Sequence, residues 1–111
     1  MNNIPVAIPF HSPKAVEYVS EAVKNNEISG LFGKNIEKFE LMFASFIGTK
    51  YAVSCSSGTS ALHLAMAASG IKKGDEVLVS SFTNMATFFA VMYCGAKPIP
   101  VDIDLNTYNI D

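Results

Sequence analysis

From residue 51 to residue 104 the chain alternates between two kinds of segment. Short apolar runs, "YAVSC" at 51–55, "VLV" at 77–79 and "KPIPVDID" at 97–104, are separated by stretches with apolar residues at helical spacing, 59–69 and 85–94. A short apolar run without polar alternates suits a strand buried on both faces. Such strands, joined in turn by helices, build parallel βαβ units with right-handed crossovers. The pattern predicts an α/β fold: a mostly parallel sheet with flanking helices, with strands near 51–55, 77–79 and 99–103. Gly70 and Gly95 stand where the two connecting helices stop.

Ahead of this lies a helical region. Ser12 before Pro13 has the character of an N-cap followed by a first-turn proline, and Ala15, Val16, Val19, Ala22 and Val23 follow at helical spacing. Asn25 and Asn26 end that helix. "ISGLFGK" is a loop pivoting on Gly30 and Gly33, and Ile36, Phe39, Phe43, Phe46 and Ile47 form the stripe of a second helix closed by Gly48.

Composition narrows the function classes. With 111 residues the chain makes one domain at most, and 50% hydrophobic against 16% charged residues excludes disorder. A net charge of -2 leaves no basic footprint for nucleic acid. No apolar run reaches the ~20 residues of a membrane-spanning helix, and the opening lacks the basic and apolar regions of a signal peptide. Cys55 and Cys94 sit in apolar segments without metal-ligand spacing, so two buried, reduced thiols in a cytoplasmic protein are expected.

In a parallel α/β sheet the functional loops follow the carboxyl ends of the strands. Three qualify: "SSGTS", "SSFTN" and "DIDLNT". The first crowds Ser56, Ser57, Gly58, Thr59 and Ser60 between a strand-like run and a helix. Two readings are open. Ser57 caps the helix and nothing more, or Gly58 lets a ligand approach while the Gly58, Thr59 and Ser60 amides, with the Ser57 and Thr59 hydroxyls, cup a phosphate at the positive end of the helix dipole. Neither GxxxxGK[ST] nor GxGxxG is present, so no Walker-type or dinucleotide site is indicated. Asp102 and Asp104 in "VDID" have the spacing of a cation-holding DxD, but Asp104 before "LNT" is better read as a turn initiator. His63, four residues beyond Thr59, reads as a helix-surface or packed histidine, and His11 has no assigned role.

Several stretches in order resemble the N-terminal part of the DegT/StrS-type nucleotide-sugar aminotransferases, pyridoxal-phosphate enzymes of fold-type I. They are "FE" at 39–40, "SGTSALHLA" at 57–65, "GDEV" at 74–77, "AT" at 86–87, "GAKPIPVDID" at 95–104 and "TYNID" at the end. The resemblance runs from about Ile4 to Asp111. It implies the N-terminal piece of a fold-type I large domain, with a helical arm over about 1–48 and the start of the cofactor-binding α/β domain over about 49–111. It also implies pyridoxal 5'-phosphate as cofactor, with Gly58 and Thr59, supported by Ser57, on its phosphate. By the same likeness Asn84 falls where an aromatic residue ordinarily stacks on the pyridine ring, a departure that gives up roughly 0.5–1.5 kcal/mol of stacking. Phe82 and Phe88 nearby are expected in the core.

No residue here matches the lysine that forms the Schiff base or the acid that pairs with the pyridinium nitrogen; the resemblance implies both beyond Asp111. Lys50, Lys72, Lys73 and Lys97 read as solvated, and Lys34 matches no Schiff-base position. No catalytic residue is therefore expected in these 111 residues, which alone should be inactive. The intact protein is expected to be a cytoplasmic homodimer, with "ISGLFGK" near the nucleotide sugar. It would move an amino group from glutamate to a nucleotide-linked keto-sugar. The alternatives are a sugar dehydratase of the same family and a non-catalytic α/β module that binds a phosphate or a partner protein.

Overall fold

The computed structural model describes residues 4–5, 7–30 and 33–111, which fall into two compact units, Met1–Val53 and Ser54–Asp111.

The first unit carries α1 (Pro13–Lys24) and α2 (Asn35–Ile47). Ser12 starts α1 as its sequence predicts: its backbone is extended and its Oγ accepts the Ala15 amide at 3.2 Å. Asn26, just past the Asn25 cap, takes a left-handed φ of 58°, which asparagine tolerates better than most residues. Gly48 closes α2 with a φ of 80° and donates its amide to the Ala44 carbonyl. The apolar stripe of α2 forms but is largely uncovered. Ala44 is its buried residue among those described, while Phe39 stacks on Phe43 at 5.6 Å and Phe46 stays 85% exposed. Leu31 and Phe32 of the "ISGLFGK" loop lie outside the described residues.

The second unit has the alternating order α3 (Gly58–Ala68), β1 (Glu76–Ser80), α4 (Met85–Tyr93) and β2 (Lys97–Val101). The strands are parallel, with Leu78 opposite Ile99. Val79, Val91 and Ala96 form the buried core, and Met66, Ile71, Val77 and Phe88 pack around it. Phe88 is thus a core residue, as expected. The prolines fit an edge strand. The Lys97 amide bonds the Asp75 carbonyl and the Val101 carbonyl accepts from Ser81, so the odd residues of β2 face β1. Pro98 and Pro100 then turn their missing N–H groups to the other edge, where no ladder needs them.

Four expectations need correction. Residues 51–55 form no strand. A strand exists by pairing, and among the described residues the pairing is β1 with β2, plus one isolated antiparallel bridge between Ile103 and Ile110. Residues 77–79 are not buried on both faces, because the helices cover the Val77 and Val79 side and leave Leu78 64% exposed. The last strand lies two residues earlier than 99–103. Beyond Val101 the Asp102 carboxylate accepts the Ile103 amide at 2.8 Å and the chain turns toward the Ile103–Ile110 bridge. The cysteines are free but not buried: Cys55 is exposed and Cys94 half-buried. Among the described residues no helix is long and apolar enough to cross a membrane.

Candidate functional site

The junction before α3 is built from uncharged groups. Between residues 51 and 71 the sequence has no lysine, arginine, aspartate or glutamate. Ser57 is the N-cap, with extended backbone, and its Oγ accepts the Ser60 amide at 3.2 Å. The Ala61 amide begins the helical ladder on the Ser57 carbonyl. The cap reading of Ser57 is therefore correct as local structure. It also leaves the Gly58 and Thr59 amides without partners among the described residues, at the end of an 11-residue helix where the dipole places about half a positive charge.

Gly58 supplies the space. Its φ lies outside the left-handed range, so the backbone does not require glycine there. A Cβ built on it meets nothing within 4 Å, so packing does not require glycine either. The side-chain position of Gly58 is open space, and the Gly58 and Thr59 amides have no partner among the described residues. Thr59 is half-buried beside them. The Ser60 amide, expected among the free phosphate donors, is the one the Ser57 cap takes, and sequence reasoning missed the part played by the Ser60 hydroxyl, although the run of hydroxyl residues was its signal. Ser60 Oγ lies 3.1 Å from Ser57 Oγ and 3.3 Å from Ser56 Oγ, tying the three serines together.

The loop after β1 behaves differently. Asn84 is exposed and is the N-cap of α4, its Oδ1 accepting the Ala86 amide at 2.9 Å. Beside it the Thr83 and Thr87 hydroxyls are 3.1 Å apart. No hydrogen bond joins Asn84 to the residues 57–59 among those described. Phe82, expected in the core, is 67% exposed and lies against Tyr108 with ring centroids 5.4 Å apart.

After β2, Asp104 organises a turn. Its Oδ1 accepts the Thr107 amide at 2.8 Å and the Asn106 amide at 3.1 Å. The Thr107 amide foremost, then the Thr107 hydroxyl, with the Asn106 groups behind them, hold its carboxyl below the ordinary value against an opposing desolvation. The turn-initiator reading is right, and no cluster of His, Cys, Asp or Glu among the described residues could hold a metal. His63, one turn along α3 from Thr59, packs edge-on against Tyr93 at 5.6 Å, and both line a small crevice of about 230 Å³.

An anion cup at a helix start, at the junction leading into an α/β unit, is the arrangement the sequence resemblance implies. The profile of the DegT/DnrJ/EryC1/StrS aminotransferase family matches residues 11–111. The chain belongs to this family. GDP-perosamine synthase of Caulobacter vibrioides is 45% identical over 108 residues, which are 97% of this chain and 29% of that protein. The UDP-2-acetamido-2-deoxy-3-oxo-D-glucuronate aminotransferase of Pseudomonas aeruginosa is 44% identical over 81 residues, 73% of this chain and 23% of that one. Among solved structures, a GDP-4-keto-6-deoxymannose-3-dehydratase with a trapped PLP-glutamate geminal diamine superposes with a TM-score of 0.84 at 31% identity. That match covers 98% of this chain and 29% of the dehydratase. The chain thus spans under a third of the length of these relatives. Pyridoxal phosphate is the cofactor this fold holds in its solved relatives, in agreement with the sequence.

Proposed function

We propose that the whole protein is a pyridoxal-phosphate-dependent aminotransferase that moves an amino group from glutamate onto a keto-sugar linked to a nucleoside diphosphate. It would act as a cytoplasmic homodimer. In this reading residues 1–48 are a helical arm and residues from about 49 begin the cofactor-binding domain. One observation carries it for this chain: the Gly58 and Thr59 amides at the start of α3 have no partner among the described residues. The donor set suits a phosphate monoester, since hydroxyls and backbone amides at a helix start hold an anion without any side-chain cation.

The assigned residues have separate tasks. Gly58 and Thr59 donate their amides to the phosphate, and the Thr59 hydroxyl adds a third donor. Ser57 fixes the direction of the first turn by holding the Ser60 amide, so the donors need no rearrangement when the anion arrives. Asn84 lies at the carboxyl end of β1, toward the ring. When bound, the cofactor supplies the electron sink that lets an amino group change carbon partners. The residues named here bind and orient it.

The test is cofactor affinity of the full-length protein. A Cβ at Gly58 meets nothing within 4 Å, so Gly58→Leu should keep the fold while binding is lost. Thr59→Val should weaken binding by roughly 1.5–3 kcal/mol, the range for a hydrogen bond to a charged partner. Unchanged affinity in both variants would remove the assignment of Gly58 and Thr59 to the phosphate. A second reading, a sugar dehydratase, is supported by the superposition of the solved dehydratase, which is as close as that of the aminotransferases. Product mass separates the two, because the aminotransferase yields an amino-sugar and the dehydratase a deoxy-sugar.

A further inference from the structure

Tyr108 has a left-handed backbone, with a φ of 58°, a region that crowds the Cβ of every residue but glycine and that asparagine tolerates better than most. Asn106 and Asn109 stand close by in sequence, yet a tyrosine takes this position. The surrounding turn holds it there. The Tyr108 amide donates to the Asp104 carbonyl at 2.8 Å, the Asp104 amide to the Asn109 carbonyl at 3.0 Å, and the Asp111 amide to the Asp102 carbonyl at 3.2 Å. What this conformation delivers is the ring, whose centroid lies 5.4 Å from that of Phe82, a separation at which aromatic pairs attract. Backbone strain kept in place by its surroundings points to a use for the side chain it aims.

Phe82 belongs to the loop between β1 and α4. The two strands are parallel neighbours that end in register, Ser80 opposite Val101, so this loop and the turn over 102–111 leave the sheet side by side. At the joint the Ser81 amide donates to the Val101 carbonyl at 2.9 Å, and beyond it the ring pair joins the two segments. Loops at the carboxyl ends of parallel strands are the ones that meet ligands. We infer that Phe82 and Tyr108 form a latch: the turn wound around Asp104 sets the Tyr108 ring, and that ring holds the loop leading into α4 in place. The latch does not depend on the cofactor reading. Tyr108 acts through Phe82, as a positioning residue. Both rings are more than half exposed and stand outside the Val79, Val91 and Ala96 core, so the latch opens without unpacking that core.

Amide hydrogen exchange of the full-length protein, followed in peptides by mass spectrometry, tests it. Tyr108→Asn supplies a residue that tolerates the left-handed backbone and removes the ring. Exchange in the peptide over 81–87, which holds the bonded amides of Ser81 and Ala86, should rise about three- to tenfold, the range of one aromatic pair. The bonded amides of Asn106 and Thr107 should exchange as before, because the turn itself is kept. Tyr108→Phe keeps the ring and should match the unmodified protein at both places. Coupling is mutual, so Phe82→Ala should speed exchange of the Tyr108 amide by a similar factor. The latch is overturned if Tyr108→Asn leaves the peptide over 81–87 unchanged, or if Tyr108→Phe exchanges there as fast as Tyr108→Asn. Faster exchange that extends through α1 and α2 in Tyr108→Asn would show general destabilisation and overturn it as well.

Discussion

The Ser60 amide donates to Ser57 Oγ at 3.2 Å, and this one bond divides the start of α3 into a satisfied donor and two open ones. A helix start of this kind faces a conflict. Every cap that stabilises the helix removes a donor that could hold an anion. Here the cap takes the third amide and leaves the first two, at a glycine whose side-chain position is open space.

Separating these two tasks gives the first prediction. Ser57→Ala removes the cap and should cost about 1 kcal/mol of stability, read as a lower urea midpoint with unchanged slope. Ser57→Asp keeps the cap, since a carboxylate accepts the same amide, yet sets a negative charge beside the proposed phosphate. Its stability should stay near that of the unmodified protein while its cofactor affinity falls. If Ser57→Asp binds the cofactor normally, no phosphate lies at this helix start.

The second prediction concerns Asp104. The Thr107 amide and hydroxyl and the Asn106 groups lower its folded pKa from the ordinary 3.8. A carboxyl depressed on folding contributes stability above its unfolded pKa and loses it as the pH falls through the folded value. Stability from this turn should therefore be complete above about pH 4 and decline below it. Asp104→Asn retains an acceptor for the turn but cannot titrate. Unfolding midpoints measured between neutral and strongly acidic pH should show a weaker acid dependence for the variant. Identical acid profiles would mean that the turn does not depend on the ionised carboxylate.

Much of this fold was legible because local signals and packing agree. Ser12, Asn25 and Gly48 mark helix ends by chemistry that acts within a few residues, and the structure follows them. The parallel order was legible from the alternation of periods, and Phe88 from its place on α4. Residues 51–55 failed for a physical reason: β character becomes a strand through a partner, and the pairing energy of a ladder lies outside the segment itself. Leu78 failed similarly, since one apolar run looks the same whether one face or both are covered. Phe82 was misplaced because an aromatic residue in a loop carries no period to reveal its direction. At the site, the run of hydroxyls announced an unusual helix start but did not distinguish the capping oxygen from the open amides. That distinction appears only in the geometry of Ser57 and Ser60. Asn84 was placed by likeness alone, and its cap, a bond between residues two apart, needed the structure.

The last prediction concerns the lysines. Transamination requires an amine that attacks the cofactor's carbonyl and then carries a proton between two carbons, and a lysine does this best when burial lowers its pKa. All eight cationic side chains of these 111 residues are lysines, and all eight are exposed. Lys97 pairs with Glu76 at 3.0 Å on the surface, and Lys50 lies 5.0 Å over the Tyr51 ring, with none in the stretch that holds Ser57, Gly58 and Thr59. An exposed, hydrated ammonium is a poor nucleophile at neutral pH, and losing a positioned proton carrier forfeits typically ~10²–10⁴ in rate. Residues 1–111 produced alone should therefore transfer no amino group from glutamate. Borohydride reduction in the presence of the cofactor, followed by peptide mass analysis, should give scattered substoichiometric labelling. Stoichiometric labelling of one of the eight lysines, together with measurable turnover, would place the catalytic amine inside this segment and reverse the assignment.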